Sequence, residues 1–304
     1  MINKVGIVVV TYNRLNLLKE VIEALRLQTY KDFQIVVVNN GSTDETPKWL
    51  SDQRDIYTIT QENLGGAGGF FTGMKYVVEN GFKYCWIMDD DVICDKNALM
   101  ELISAINVKA GIGFVCSNVL GIDGSPMNTP IVNMDSRSAL TGYEDYFDLS
   151  DYNMVKVKRA TFVSVLFTTD VISKNGLPYK EYFIWGDDTE YTIRLSKKYP
   201  CYVALKSKVV HKRKIQKNIE FENETDKSRL NFYLYKYRNE AFSYISRKER
   251  TRFSMVAQLL LQGFKFLAKG KLLQSKVLFK SAILLHSFSP QIAYVKLKYN
   301  NPQI

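Results

Sequence analysis

Short aliphatic runs alternate with amphipathic segments along the first 95 residues. Five of the six residues in 5–10 are Val or Ile, which is typical of a strand buried on both faces of a parallel sheet. Leu15–Gln28 then carries apolar residues at helical spacing. Similar patterns predict strands at Phe33–Val38, Ile56–Thr60 and Tyr84–Met88, and helices at Glu45–Ser51 and from about residue 70 to Asn80. This alternation predicts an α/β fold, with a Rossmann-like, mostly parallel sheet, right-handed crossovers and flanking helices.

The character of the chain changes after about residue 211. Before that point the predicted elements are helix Asp95–Ala110, strand Gly111–Leu120, irregular insertion Gly121–Met154, strand Ala160–Phe167, helix Asp170–Asn175, a loop entering a helix over 182–195, and strand Tyr202–Val210. Beyond it the patterns are helical, over 225–246, 250–268 and 272–287. We therefore expect an α/β domain at 1–215 and a basic helical region at 216–304.

Polar segments follow the predicted strands. They are Thr11–Asn13, Asn39–Asp44, Gly65–Gly69 and Asp89–Asp91. Ligands bind beyond the carboxyl ends of parallel strands, so we expect these segments to converge on one cleft. Gly65–Gly69 is predicted to be a loop, either an ordinary tight turn or a close approach of backbone to a ligand. It is not a Walker A loop, because no Gly-Lys-Ser or Gly-Lys-Thr follows it.

Three consecutive carboxylates, Asp89 to Asp91, end a strongly apolar strand. Buried charges are costly unless they are paired or bind a metal ion, so a divalent-cation site is favoured over a solvated acidic turn. Hard oxygen ligands suit Mg²⁺ or Mn²⁺, which usually sit between one or two carboxylates and the phosphates of a substrate. The first and third residues of an extended segment point to the same side, which favours Asp89 and Asp91 as the ligands.

The charge distribution suggests an anionic partner for the C-terminal third. The chain has 304 residues and a formal net charge of +10, and residues 201–304 carry 21 Lys and Arg against 6 Asp and Glu. The helices there fit either a solvated basic face or a peripheral membrane surface that contacts anionic lipid, and no nucleic-acid-binding motif is present. Four cysteines without Cys-x-x-Cys spacing, no secretory signal and no 18-residue apolar run indicate a cytoplasmic protein, at the inner face of the cell membrane.

The polar segments, taken in order, resemble the family 2 glycosyltransferases of GT-A fold. The glycine segment and the Asp triplet resemble the galactofuranosyltransferase-like branch in particular, and the resemblance covers roughly residues 4–215. The motifs that carry it are Val8-Val9-Val10-Thr11-Tyr12-Asn13-Arg14, Asn39-Asn40-Gly41-Ser42-Thr43-Asp44, Glu62-Asn63-Leu64-Gly65-Gly66-Ala67-Gly68-Gly69-Phe70 and Met88-Asp89-Asp90-Asp91.

The resemblance implies roles for individual residues. Asp89 and Asp91 would hold Mn²⁺ or Mg²⁺ on the donor diphosphate, and His211 would complete the metal shell. Asp188 would be the catalytic base, with Asp187 as the alternative base or an acceptor contact. The remaining implied contacts are Trp185 to the acceptor, Thr11 and Asn39 to the nucleotide base, and Asn13, Asn63, Gly66 and Asp90 to the donor.

Three features of the resemblance leave questions open. The family usually has Asp where this chain has Asn39, although an amide oxygen still accepts a hydrogen bond from a pyrimidine ring N–H. Trp185 fits a buried core position as well as an acceptor platform. Tyr237-Arg238-Asn239 is common after the core in furanosyl- and rhamnosyltransferase branches, but the sequence assigns it no role.

The expected function is inverting glycosyl transfer to a growing bacterial cell-surface glycan. Such a reaction needs a cation to neutralise the leaving diphosphate and a single carboxylate to accept the proton of the acceptor hydroxyl. The expected donor is UDP-galactofuranose, the alternative is dTDP-rhamnose, and the acceptor is lipid-linked or an oligosaccharide. A nucleotidyltransferase and a non-catalytic glycan- or membrane-binding protein are the competing classes, and assembly into a homo-oligomer is left open.

Overall fold

The computed structural model describes residues 4–213 and 220–297. The expected domain boundary between 215 and 216 lies outside the described residues. The strands are β1 (Val5–Thr11), β2 (Phe33–Asn39), β3 (Ile56–Thr60), β4 (Tyr84–Asp89), β5 (Val92–Cys94), β6 (Val115–Leu120), β7 (Ile131–Val132), β8 (Met154–Arg159), β9 (Ser164–Thr168) and β10 (Tyr202–His211). The helices are α1 (Leu15–Arg26), α2 (Thr46–Ser51), α3 (Gly65–Glu79), α4 (Ala98–Ile106), α5 (Thr169–Asn175), α6 (Asp187–Ser196), α7 (Lys227–Ser246), α8 (Arg252–Ala268) and α9 (Leu272–Ser287).

The strands form a mixed sheet in the order β3-β2-β1-β4-β9-β6-β10-β8-β7, with β5 paired to β10. The first four are parallel, as the sequence predicts, and β6 is parallel to β10. β9 runs antiparallel between β4 and β6. Apolar side chains cover both faces of the sheet, which explains why its central strands read as continuous aliphatic runs. The carboxyl ends of β1, β2 and β4 therefore share one edge of the sheet.

The predicted start of the strand Ala160–Phe167 was wrong, because β9 spans Ser164–Thr168 and residues 160–163 lie outside it. The sequence patterns also missed β8, which precedes this segment. The backbone of Ala160 is satisfied by the hydroxyl of Thr192 on α6, which donates to its carbonyl at 3.2 Å and accepts from its N–H at 3.2 Å. Phe162 and Val163 are buried apolar residues, and their apolar pattern resembled that of a strand although they belong to neither β8 nor β9.

The prediction of a loop at Gly65–Gly69 was also wrong, since these residues form the first turns of α3. The glycines allow α3 to lie very close to β1. A Cβ added at Gly69 would stand 2.3 Å from Val10 Cγ1, and one at Gly73 would stand 2.2 Å from Val8 Cγ1. Close tertiary packing thus outweighs the low helix propensity of glycine.

The three C-terminal helices lie where the sequence predicts them. A separate apolar cluster joins α7, α8 and α9 to the segment before α6 through Tyr179 and Tyr182. Within the described ranges, no helix has the length and apolar character needed to cross a bilayer.

Candidate functional site

The Asp triplet lies at the carboxyl end of β4, beside the end of β1. The hydroxyl of Thr11, the last residue of β1, donates to Asp90 Oδ2 at 2.7 Å. Arg14 reaches over from the start of α1, and its Nη1 lies 3.1 Å from both Asp90 Oδ1 and Asp91 Oδ2. Asp90 and Asp91 are buried, so this one guanidinium offsets much of the negative charge of the triplet.

His211 reaches the triplet from the end of β10. Its Nε2 lies 3.0 Å from Asp91 Oδ1, and its Nδ1 lies 2.9 Å from Asn128 Oδ1. An amide oxygen only accepts hydrogen bonds, so the contact with Asn128 places a proton on Nδ1 and leaves Nε2 directed at Asp91.

Asp89, Asp91 and His211 fit a divalent cation. Each offers a ligand atom, and these atoms all lie within 4.8 Å of one another. Asp91 Oδ1 is buried, and its neighbour His211 Nε2, at 3.0 Å, carries no proton in the tautomer that Asn128 selects, so this oxygen is left without a donor, which is costly unless a cation takes that position. Two carboxylate oxygens and one imidazole nitrogen suit Mn²⁺ or Mg²⁺.

A second acidic pair, Asp187 and Asp188, begins α6. Burial and the neighbouring charge of Asp188 raise the pKa of Asp187 to about 7. Burial also raises the pKa of Asp188, although its side chain accepts the N–H of Thr189 at 2.5 Å. Both carboxyls lie in the first turn, where the helix dipole favours negative charge.

Electrostatics link the end of β4 to the start of α6. Burial raises the pKa of Asp89 to about 8, and the charges of Asp91, Asp90 and Asp187, in decreasing order, add to this rise. An effect of this kind requires the carboxyls of Asp89 and Asp187 to be near neighbours. The convergence expected of the polar segments is supported by hydrogen bonds that join Thr11 to Asp90, Asn13 to Thr43 and Asn40 to Gly65.

Trp185 lies two residues before Asp187 and is 39% exposed, so it is not a core residue. Its ring packs edge-on against Phe232 and Tyr233 of α7, with centroid distances of 5.9 and 5.4 Å. An exposed indole beside an acidic pair provides an apolar surface at the mouth of the cleft.

Most of the expected donor-binding residues hold the loops of the cleft together. Asn13, at φ 53°, accepts the backbone N–H of Thr43 at 2.7 Å and ties the end of β1 to the turn after β2. Asn39 is fully buried and accepts the N–H of Ser42 at 3.0 Å. Recognition of a base by Thr11 or Asn39 stays a prediction, since both side chains are buried and already engaged.

A second polar network fixes the start of α3. Asn63 accepts the N–H of Gly65 at 2.9 Å, and Asn40 donates to the carbonyl of Gly65 at 2.9 Å. Gly66 has open space where a side chain would stand, because no atom lies within 4 Å of the position of a Cβ. A ligand has room to approach the backbone at Gly66.

Reasoning from the sequence missed Arg14 and Asn128 as members of the site. Arg14 belongs to the motif that runs from Val8 to Arg14. Its position three residues after the end of β1 was a signal that its side chain could reach the cleft. Asn128 gave no local signal, because it lies in the irregular insertion and at φ 48°. Arg194 of α6 is a structural partner of a nearby acid, because its Nε forms an ion pair with Glu190 Oε1 at 3.0 Å.

The chain matches known proteins in sequence. A family model described as glycosyl transferase family 2 matches residues 6–159. Galactofuranosyltransferase GlfT1 of Mycobacterium tuberculosis (strain H37Rv) is 28% identical over 204 residues, which are 64% of this chain and 65% of that protein. The protein of the same name from Mycolicibacterium smegmatis is 28% identical over 196 residues, or 62% of this chain and 64% of that one. The chain thus spans slightly less than two thirds of the length of these relatives.

Solved structures share the fold. Residues 1–349 of Staphylococcus aureus TarS, in complex with UDP-GlcNAc, superimpose with a TM-score of 0.57 at 16% identity, covering 80% of this chain and 66% of that one. The mannosyltransferase PcManGT of Pyrobaculum calidifontis, in complex with GDP-Man and Mn²⁺, gives a TM-score of 0.54 at 14% identity, covering 93% and 87%. These likenesses confirm the expected GT-A fold. Because the family model spans more than half of the 304 residues, the chain belongs to glycosyl transferase family 2.

Proposed function

We propose that this protein is a metal-dependent, inverting glycosyltransferase that moves a sugar from a nucleoside diphosphate donor to a hydroxyl group of a glycan. The carrying observation is the Asp89–Asp91–His211 cluster, whose ligand atoms lie within 4.8 Å of one another, and the effect of the charge of Asp187 on the pKa of Asp89 supports placing the Asp187–Asp188 pair beside it. A cation site for a diphosphate and a carboxylate for an acceptor proton are the two groups that this reaction needs.

In the proposed mechanism, Asp188 accepts the proton of the acceptor hydroxyl as that oxygen attacks the anomeric carbon. Burial raises the pKa of this carboxyl and so makes it a stronger base than an exposed aspartate. Asp187 is the alternative base or an acceptor contact. Asp89, Asp91 and His211 would hold the cation, which neutralises the charge of the departing nucleoside diphosphate when bound. Trp185 offers its exposed ring to the acceptor sugar.

The proposed donor is UDP-galactofuranose, because two mycobacterial relatives at 28% identity are named galactofuranosyltransferases. The alternative donor is dTDP-rhamnose. The solved structures with UDP-GlcNAc and GDP-Man support a nucleotide-sugar donor in general, since they share the fold of the chain.

A donor comparison tests this proposal. The full chain is incubated with UDP-galactofuranose or dTDP-rhamnose, Mn²⁺ or Mg²⁺, and a panel of oligosaccharide and lipid-linked acceptors. We expect release of UDP and a glycosylated acceptor only with the first donor and a metal ion. Turnover of dTDP-rhamnose alone would overturn the choice of donor. Release of pyrophosphate, or turnover that survives Asp188→Asn unchanged, would overturn the reaction class or the base.

We also propose that the helical hairpin of α8 and α9 binds an anionic membrane surface. Phe253, Leu260, Phe264 and Leu267 of α8 repeat at spacings of seven, four and three residues and form an apolar stripe. Leu261 of α8 and Leu272, Leu273, Ile283 and Leu284 of α9 are also exposed. Phe253 is 84% exposed, which is unusual for a phenylalanine unless the surface has a partner.

The charge of this hairpin complements anionic lipid rather than a neutral surface. α8 and α9 contain no Asp or Glu, and Lys265, Lys269, Lys271, Lys276 and Lys280 flank the apolar stripe. Aromatic and leucine side chains bordered by lysines are typical of helices that lie in a lipid headgroup region. Such a location, at the inner face of the cell membrane, would bring the cleft to a lipid-linked acceptor.

Vesicle sedimentation tests the membrane surface without any activity assay. We expect binding to vesicles of phosphatidylglycerol and phosphatidylcholine, weaker binding at high salt, and at least a roughly tenfold loss with Phe253→Ser/Phe264→Ser. Leu27→Ser is the matched control, because Leu27 is 70% exposed but lies at the end of α1. Equal binding by both variants would contradict the proposal. Loss of a dimer on substitution, without vesicle binding by the wild type, would assign the stripe to a second copy.

A further inference from the structure

The segment that leads into the acidic pair has an unfavourable backbone conformation. Phe183 and Trp185 have φ angles of 63° and 62°, and Gly186 follows at 95°. Left-handed conformations at bulky residues are strained and persist only where the surroundings enforce them. The direction in which α6 begins, and thus the position of Asp187 and Asp188, depends on this segment.

Asn239 of α7 supplies most of that enforcement. Its side-chain nitrogen directs two hydrogens at three carbonyls of the segment, those of Tyr182 at 2.9 Å, Ile184 at 3.1 Å and Trp185 at 2.8 Å, so that one hydrogen is shared. The remaining carbonyl, that of Phe183, accepts the backbone N–H of Ala67 at 3.1 Å. Asn239 itself is fully buried, so water does not compete for these bonds.

Arg238 fixes the orientation of the Asn239 amide. Its Nη2 and Nε lie 2.7 and 3.0 Å from Asn239 Oδ1, which turns the amide nitrogen toward the carbonyls. The same Nη2 donates to the carbonyl of Glu181 at 2.8 Å. The guanidinium also lies 3.8 Å from the ring centroid of Phe288, so it is sandwiched between the segment and the residues that follow α9.

We propose that Arg238 and Asn239 form a clamp that positions the acidic pair of the cleft. They touch neither the acidic pair nor the metal cluster in any described contact, and they act by fixing the backbone of residues 181–185. Because Arg238 and Asn239 are proposed to position the Asp187–Asp188 pair, this inference rests on the proposed function. The clamp also explains why the helical region is attached to the α/β domain at this point: α7 carries the donors that the loop requires.

The matched control for the clamp is Ser243 on the same helix. Ser243 is buried and its hydroxyl lies 2.8 Å from the hydroxyl of Tyr182, so it contacts the same loop without bonding its backbone. Asn239→Ala and Ser243→Ala therefore each remove a buried polar group from positions one helical turn apart, the amide being the larger. Arg238→Lys is the milder second variant, because it keeps the charge and the aliphatic stem but loses the fork that holds the amide.

Fluorescence of Trp185 tests the clamp independently of catalysis. In a Trp49→Phe background the fully buried Trp86 is shielded, so acrylamide quenching reports Trp185. We expect stronger quenching in Asn239→Ala and, to a lesser degree, in Arg238→Lys, with no change in Ser243→Ala. Unchanged quenching in both clamp variants would overturn the proposal, even if the wild type transferred no sugar.

Kinetics then separate positioning from general stability. We expect kcat to fall about 100-fold in Asn239→Ala, the typical cost of a shift of about 1 Å in a catalytic group, while the KM for the donor stays within about threefold. In an Asp188→Asn background, Asn239→Ala should cost little more, because its effect passes through the acidic pair. Full additivity of the two substitutions would show that Asn239 acts by another route.

Discussion

Nδ1 of His211 lies 2.9 Å from Oδ1 of Asn128, so the irregular insertion orients a side chain at the end of β10. Partners of this kind fix the ring position of a metal-binding histidine, and their loss typically costs about 10–100-fold in metal affinity. We expect Asn128→Ala to weaken Mn²⁺ binding, measured by isothermal titration calorimetry, by a factor in that range. Asn80→Ala, which removes an asparagine at the end of α3, should leave the affinity unchanged. If Asn128→Ala bound Mn²⁺ with the affinity of the wild type, His211 would not be a metal ligand that Asn128 orients.

In the metal-free protein, the guanidinium of Arg14 supplies the positive charge beside the Asp89–Asp91 triplet. Its Nη1 contacts both Asp90 and Asp91, and Arg14→Gln leaves these buried carboxylates without it. We expect the unfolding free energy of the metal-free protein to fall by about 1–2 kcal/mol, since Arg14 itself is half exposed. Added Mn²⁺ should then raise the Tm more in Arg14→Gln than in the wild type, because the metal replaces the lost charge.

A surface arginine provides the control for this experiment. Arg26→Gln removes an ion pair with Asp55 that lies away from the triplet, so the Tm shift on adding Mn²⁺ should match that of the wild type. Equal Mn²⁺ shifts in all three proteins would show that Arg14 is not coupled to the metal site.

The sequence predicted the parts of the site that lie at strand ends. Asp89 and Asp91 end or follow β4, and the rule that parallel strands present their carboxyl ends together was enough to place them in the cleft, whereas the role of His211 came from the resemblance to family 2 glycosyltransferases. It could not predict contacts that depend on distant segments. Asn128 lies in an irregular insertion, and Asn239 bonds a loop 54 to 57 residues earlier in the chain.

The glycine segment shows the same limit for secondary structure. Four glycines in five residues favour a loop by local propensity, but α3 begins there because its glycines fit against Val8 and Val10. Only the packing partner, which the local sequence does not contain, decides between the two outcomes.

Removing the proposed base should separate chemistry from binding. We expect Asp188→Asn to lower kcat by at least about 1,000-fold, because an amide cannot accept the acceptor proton. Affinity for Mn²⁺ and for UDP, measured by calorimetry, should stay within about threefold of the wild type. Asp187→Asn is the comparison: a larger loss of kcat in this variant than in Asp188→Asn would make Asp187 the base.

The raised pKa of Asp187 gives stability a defined pH dependence. Burial and the charge of Asp188 raise this pKa to about 7, so the folded protein retains a proton that the unfolded chain releases near its ordinary value. The stability that this proton provides is fully present below that ordinary value and is lost as the pH rises through about 7.

Metal-free wild type should therefore lose on the order of 2–4 kcal/mol more than Asp187→Asn between pH 4 and pH 8, measured by urea denaturation. Asp170→Asn, a substitution in an exposed ion pair of α5, should follow the wild-type curve. Parallel curves for wild type and Asp187→Asn would mean that Asp187 does not hold a proton in the folded state.

Three glycines of α3 separate close packing from contact with a donor. At Gly69 and Gly73 an added Cβ would stand 2.3 and 2.2 Å from valine methyl groups of β1, so alanine there must displace the helix. We expect each substitution to lower the unfolding free energy by about 1–3 kcal/mol, although alanine is the better helix former. Gly66→Ala meets no atom within 4 Å and should leave stability unchanged or raise it by up to about 1 kcal/mol.

The affinity for the donor should respond to these substitutions in the opposite order to stability, with the larger effect at Gly66. If the backbone at Gly66 approaches the nucleotide sugar, Gly66→Ala should weaken UDP binding about tenfold or more while the protein stays fully folded. Gly69→Ala should bind UDP normally at temperatures well below its lowered Tm, because its side chain points at β1 and away from the cleft. A Gly66→Ala protein with unchanged UDP affinity would place the donor away from the start of α3, since the substitution adds a methyl group only where a ligand would stand.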